Sequence, residues 1–297
     1  MFNKTGSAKP APKDAKVADE VQGKGSAVMT APANTAVSAA IDYAADAGAG
    51  QEGADKDSYA IPFLLALQPL SPQVVDKTVA GAEAGMLMNS VTLDLYKEVF
   101  FIPCAFQRRF IQWGAREAGG GFKGEFSVAQ AQDLRTGGKV KDLEGRLYFP
   151  EQDGSINPKK SDRLADTRSH FGLMLAAADT DIATPVVFAL SSSGIKISKG
   201  FMSRIEAIKE RHPTTKVPFT PPAFSHVYKI TTTKETNDKG TWFQPKVELV
   251  CKVTNAMLYA QAKAFHTQVV SGKVDVAHTT ANAAGGGTEE EATGKGF

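Results

Sequence analysis

The chain has 297 residues, 42% apolar and 22% charged, with 27 Gly, 15 Pro, 2 Cys and a formal net charge of +2. Its longest apolar runs, Ile61–Leu67 and Phe171–Ala178, fall well short of the ~18–20 residues of a membrane span, and the opening MFNKTGSAKP has no apolar secretory core. Two cysteines outside any CxxC pair are too few for a disulfide framework, so the reading is a soluble, cytoplasmic protein with both thiols reduced in apolar runs.

Residues 1–60 hold three aromatics, Phe2, Tyr43 and Tyr59, among Ala, Lys, Gly and Asp. Such a stretch cannot bury enough apolar surface to offset its ordering entropy, which predicts a disordered arm over 1–58. A single core follows over 59–270, and a flexible acidic tail over 271–297. The core opens on an apolar strand or short helix at 60–67, followed by a long connection through 68–90. From Val91 to Trp113 β-branched and aromatic residues predict a strand, broken by Gly119-Gly120-Gly121. Residues 127–181 follow no single periodicity.

Pro185–Leu190 and Gly194–Ser198 read as a hairpin around the serines 191–193. A helix carrying Phe201, Ile205 and Ile208 follows and ends before Pro213. A second hairpin joins His226–Thr233 to Thr241–Val253 through Asn237–Gly240. The core closes on a helix from Asn255, with Leu258, Ala262, Phe265 and Val269 as its apolar stripe. Short strands in hairpins with appended helices predict a mainly β or α+β fold, an antiparallel barrel rather than βαβ units.

Charge is distributed unevenly. Residues 1–60 carry −2, 61–91 carry −1 and 266–297 carry −2, whereas 92–265 hold 25 Lys/Arg against 18 Asp/Glu, a net of +7. A basic core between acidic ends suits a polyanionic partner; an ordinary solvated surface with solubilising tails is the alternative. No chemistry-bearing motif competes with that reading. The five histidines form no ligand set, there is no GxxxxGK[ST], GxGxxG or GxSxG, and the carboxylates show no paired spacing. No cofactor or metal is expected, and no enzyme.

Basic and aromatic residues do interleave on two predicted strands. In Phe100–Gln112 the even positions Phe100, Ile102, Cys104, Phe106 and Phe110 read as core, with Arg108 an exception. Gln107, Arg109 and Trp113 occupy the other face, with Arg116 just beyond. In Thr241–Val253 the odd positions Phe243, Val247, Leu249, Cys251 and Val253 read as core. Trp242, Gln244, Lys246 and Lys252 then face solvent, with Glu248 opposing the trend. Tryptophans beside cations suit single-stranded nucleic acid, whose bases stack on rings while Lys and Arg neutralise phosphates; edge-capping of the core is the competing role. Lys196 and Lys199 are secondary candidates. The tail ends in Glu289, Glu290, Glu291 and, at the terminus, Phe297.

Ile61-Pro-Phe-Leu-Leu, Ile102-Pro-Cys-Ala-Phe-Gln-Arg-Arg-Phe-Ile-Gln-Trp113, Gly119-Gly-Gly-Phe122, Pro218–Tyr228, Asn237-Asp-Lys-Gly-Thr-Trp-Phe243 and Ala262-Lys-Ala-Phe265 resemble a set of tailed-bacteriophage proteins over residues 60–270. The chain also resembles phage single-stranded DNA-binding proteins, which combine an OB-type barrel with an acidic tail ending in an aromatic residue. That resemblance implies an elaborated OB-like barrel. Taken with the interleaved strands, the reading is sequence-tolerant binding with Trp113 and Trp242 stacking, and phosphate contacts from Arg108, Arg109, Arg116, Lys123, Lys246 and Lys252. Only one of Arg108 and Arg109 is expected to reach DNA unless a bulge intervenes. The implied partners are single-stranded DNA and, through the tail, replication or recombination proteins in the infected bacterial host. No membrane is implied, and self-association is compatible with such a chain. Here the tail has three glutamates, and Lys295 stands two residues before its end. The rival readings are a virion-associated structural or accessory protein and a DNA-processing enzyme with carboxylates gathered only in space.

Overall fold

In the computed structural model the described residues are 43–54, 59, 61–178, 180, 182–238, 240–272 and 274, without the side chain of Arg116. Two units are distinguished, 1–52 and 53–297. Of the first, residues 43–52 form successive turns, with the Ala49 N–H on the Asp46 carbonyl at 3.0 Å. Most of the arm expected over 1–58, and of the tail over 271–297, lies outside the described residues.

The second unit runs β1 (Leu64–Ala66), α1 (Pro72–Val75), β2 (Leu87–Asn89), β3 (Leu95–Tyr96), β4 (Val99–Trp113), β5 (Phe122–Phe126), α2 (Val128–Thr136) and β6 (Lys141–Leu143). It continues through β7 (Arg146–Tyr148), β8 (Arg163–Leu175), β9 (Thr184–Ser191), α3 (Gly194–Ala207), β10 (Glu210–Arg211), β11 (Pro218–Phe219), β12 (His226–Asn237), β13 (Gly240–Lys252) and α4 (Ala256–Val270). The fold is mainly β with appended helices, as expected.

Its main sheet is antiparallel in the order β13-β12-β4-β8-β7-β6, with β5 also on β4 and β9 also on β8. β4 and β8 pair from Phe100↔Leu175 to Trp113↔Arg163. A register shift at Cys104, between Pro103 and Ala105, interrupts them, and shifts recur at Gln112/Trp113 and Val227/Tyr228. Such bulges bend strands and raise local twist, and the sheet curls into a half-barrel. Gly172 stands opposite Pro103, where a Cβ would lie 2.4 Å from the Ile102 carbonyl oxygen, so the close approach of β4 and β8 requires glycine.

Both faces of the central strands are buried. On one face Ile102, Cys104, Phe171, Leu173 and Leu175 pack with Leu258, Ala262, Phe265 and Val269 of α4. On the other Val99, Phe101, Met174, Phe188, Tyr228 and Ile230 pack with Phe201 of α3. Double burial explains the continuous apolar run at the end of β8. The Asn255 side chain caps α4 by accepting from the Met257 and Leu258 N–H groups, and all four stripe residues predicted from the sequence are buried.

Two expectations are corrected, and a stretch without a single periodicity is resolved. Residues 194–198 form the first turns of α3 rather than a strand, and β9 pairs with β8 instead. Within 127–181 lie β8, the long partner of β4, and α2, which opens on a reciprocal cap between Ser127 and Gln130. Leu249 and Cys251 are exposed rather than in the core, because β13 is an edge strand. Its outer edge is blocked piecemeal. The Gln68 side chain bonds both backbone groups of Phe243 at 2.9 Å, Pro245 has no N–H, and Arg204 donates to the Val247 carbonyl.

Candidate nucleic-acid interface

Beyond the bulge at Cys104, β4 and β8 leave the double core and present both faces to thinner cover. Register places Gln107, Arg109, Ile111 and Trp113 on one face, opposite Ser169, Thr167, Ala165 and Arg163. Phe106, Arg108, Phe110 and Gln112 share the other face with His170, Arg168, Asp166 and Leu164. Phe106, expected in the core, is 37% exposed, with one side of its ring against His170 at 5.1 Å. Arg108 and Arg109 do alternate in direction, yet each reaches the surface, with 39% of either side chain exposed.

Each of these cations meets a carboxylate. Arg108 binds Asp166 through Nε (2.9 Å) and Nη2 (2.8 Å), and its guanidinium lies 5.3 Å from the Phe110 ring centroid. Arg109 Nε donates to Glu125 at 2.9 Å. Lys123 Nζ lies 2.9 Å from both oxygens of Asp162, which also accepts from Gln112 and from the Ala115 N–H. Burial opposes ionisation of Asp162, but these hydrogen bonds outweigh it and hold the carboxyl below its ordinary value. Trp113 meets Phe122 edge to face, with centroids 6.3 Å apart at 77°, and Phe122 is exposed. Gly119, Gly120 and Gly121 all have positive φ and turn the chain back between Trp113 and Phe122. Arg116 lies in the 3-10 turn Arg116–Ala118, its side chain outside the described residues.

The remaining candidates lie elsewhere. Lys196 and Lys199 are exposed on α3. Lys246 pairs with Glu248 at 2.9 Å and Lys252 with Glu210 at 2.7 Å. Trp242 stands opposite Glu235 near the tip of the β12–β13 hairpin, its Nε1 buried without an acceptor. Lys229, six residues back along β12, faces Phe100 of β4, and Trp113 is thirteen residues further on. The two tryptophans are therefore separated by roughly 60 Å of strand path, at about 3.3 Å per residue. Glu289, Glu290, Glu291 and Phe297 lie outside the described residues.

The structure thus gathers Gln107, Arg108, Arg109, Trp113 and Lys123 at one end of the sheet and leaves the β13 set two strands away, with Trp242 toward the opposite end. It adds Arg163 and Arg168, which fall in the stretch that had no assigned period. Asp166, Arg168 and His170 alternate there with Ala165, Thr167 and Ser169, a period-2 signal that marks a strand. Over β4, β5, β8 and Asp162 five cations face three carboxylates (Glu125, Asp162 and Asp166).

Among the described residues no three or more His, Cys, Asp or Glu gather to hold a metal ion. Burial pushes the Cys104 thiol up to about 12, leaving it protonated at neutral pH. No helix among the described residues is long and apolar enough to cross a membrane.

No curated protein and no solved structure matches the chain. The Pam3 phage gp34-like protein family matches residues 30–275. With most of its length inside that match, the chain belongs to the Pam3 phage gp34-like family of bacteriophage proteins.

Proposed function

We propose that this phage protein binds single-stranded DNA without sequence preference, and that the end of the sheet formed by β4, β5 and β8 is its interface. The supporting observation is the Trp113–Phe122 ring pair, set among Arg109, Lys123 and Arg163 where cations outnumber carboxylates. Bases would stack on the rings and the cations would exchange protein carboxylates for phosphates. The curled sheet serves as an elaborated OB-like platform, the acidic tail recruits replication or recombination proteins, and the work is done in the infected host's cytoplasm. No covalent chemistry and no cofactor are involved.

Tryptophan quenching by poly(dT) at low salt is the test, and its absence would sink the reading. Stacking is worth about 1–3 kcal/mol per base, so Trp113→Ala is expected to weaken binding roughly 5- to 150-fold. Trp242→Ala, far along the sheet, should leave affinity unchanged. With about three phosphates neutralised, the log–log salt slope should be close to −2, at about −0.7 per phosphate on a single strand.

One observation favours a second reading, that of a virion-associated structural or accessory protein. The cations Arg108, Arg109, Lys123, Lys246 and Lys252 are each held by one of the protein's own carboxylates. Mass spectrometry of purified particles separates the two, since a stoichiometric virion component would be present and an early DNA-binding protein would not.

A further inference from the structure

Arg168 is an arginine whose charge the protein leaves largely uncompensated. It stands directly opposite Arg108 across β4–β8 and opposite Leu190 on β9. Like charges in directly opposed positions are unfavourable unless an anion lies between them. The nearest acidic partner, Asp166, is already engaged bidentately by Arg108 and lies 3.8 Å from Arg168 Nη2, too far for a hydrogen bond. The Arg168 side chain is only 13% exposed, and its Nε is buried without an acceptor. Guanidinium groups this deeply placed ordinarily have their donors matched, because an unmatched buried donor costs the full desolvation penalty.

The surroundings define what would fit. His170, the next residue on the same face, is 1% exposed and bonded to Ser198 at 2.8 Å. Burial first, and the neighbouring Arg168 charge second, push its pKa down to about 3, so it adds no third cation at neutral pH. Phe106 lies on this face one pair beyond Arg108 and keeps part of its ring open. Two planar forks sharing one carboxylate, beside an open ring, match a tetrahedral oxyanion attached to a flat group.

We infer that Arg168 and Arg108 form a phosphate-binding subsite on the face of the sheet that packs against α3, with Phe106 as platform for the base that the phosphate carries. This subsite lies on the opposite face from Trp113 and does not depend on the DNA reading. A nucleic-acid phosphodiester and a free nucleotide present the same chemistry to it.

Calorimetric titration of the full chain with inorganic phosphate, with thymidine 5′-monophosphate and with a dT oligonucleotide tests the subsite and separates the sources. Saturable binding of phosphate and of the nucleotide is expected in the wild type, with Arg168→Gln reducing both at least tenfold. Arg168→Lys, which keeps charge and loses the planar fork, should reduce both by a smaller factor. Phe106→Ala is expected to weaken the nucleotide and leave phosphate unchanged. An oligonucleotide whose affinity also falls with Arg168→Gln identifies nucleic acid as the source, and an unaffected oligonucleotide identifies the free nucleotide. Absence of phosphate binding to the wild type overturns the subsite whatever the variants do, as does full retention in a folded Arg168→Gln. Trp113→Ala should leave phosphate binding intact, so this result and the DNA result can fail independently.

Discussion

β4 and β13 are made of similar material, apolar residues alternating with cations and each carrying one of the two tryptophans, yet they lead different lives in the fold. β4 has strands on both sides for much of its length and is buried on both faces from Val99 to Cys104. β13 has one neighbour, a blocked outer edge, and Leu249 half exposed. Alternation within a strand reports which residues share a face. It does not report whether a face is covered, because the cover comes from α3, α4 and distant strands. Phe101 and Ile102 on β4 therefore carry the core, whereas Leu249 and Cys251 on β13 border solvent.

The largest effect that could break this contrast is on stability. Phe101→Ala empties a fully buried position between β12 and β8 and should cost about 3–5 kcal/mol, read from the denaturant midpoint. Leu249→Ala, 50% exposed on β13, should shift stability by no more than about 0.5 kcal/mol. Equal losses would mean that β13 is covered in solution.

His170 gives the next largest effect. Its folded pKa is depressed to about 3, so the unfolded chain takes up a proton first as pH falls below about 6.5. This contribution is intact above pH 6.5 and is lost toward pH 3, with a slope of about 1.4 kcal/mol per pH unit. His170→Phe should flatten the slope over that window. The loss of the Ser198 bond will lower stability at every pH, so the slope and not the level is the readout.

Smaller still is the contrast between two carboxylates. Asp166→Asn leaves Arg108 and Arg168 facing each other and should cost about 1 kcal/mol, since Arg108 is partly solvated. Glu248→Gln, whose ion pair on β13 lies in solvent, should leave the midpoint where it is. A loss at Glu248 as large as that at Asp166 would place β13 in an unrecognised interface.

The candidate site was legible in part. Gln107 to Trp113 stood out because period 2 and residue type coincide on one strand, and the hairpin at Asn237–Gly240 because its turn chemistry is local. Arg163 and Arg168 were missed because β8 changes character halfway, from polar alternation to an apolar run buried on both faces. Strict alternation through Cys104 predicts Phe106 in the core, but the bulge there alters the register and turns it to the other face. The gathering of Trp113 with Phe122 depends on the glycine turn, which reads only as a break along the chain.

By itself the sequence determined the mainly β character, the β12–β13 hairpin, the stripe and cap of α4, and the basic core between acidic ends. All of these rest on residue type and on contacts within a few positions. Only the tertiary structure decided that the tryptophans stand at opposite ends of the sheet, that β13 is an edge, and that Arg108, Arg109, Lys123, Lys246 and Lys252 each meet a carboxylate. It alone set Arg168 beside Arg108 with a single carboxylate between them. The pairings of β4 with β8 and with β12 that set this arrangement join residues about 50 to 130 apart, which no local pattern encodes.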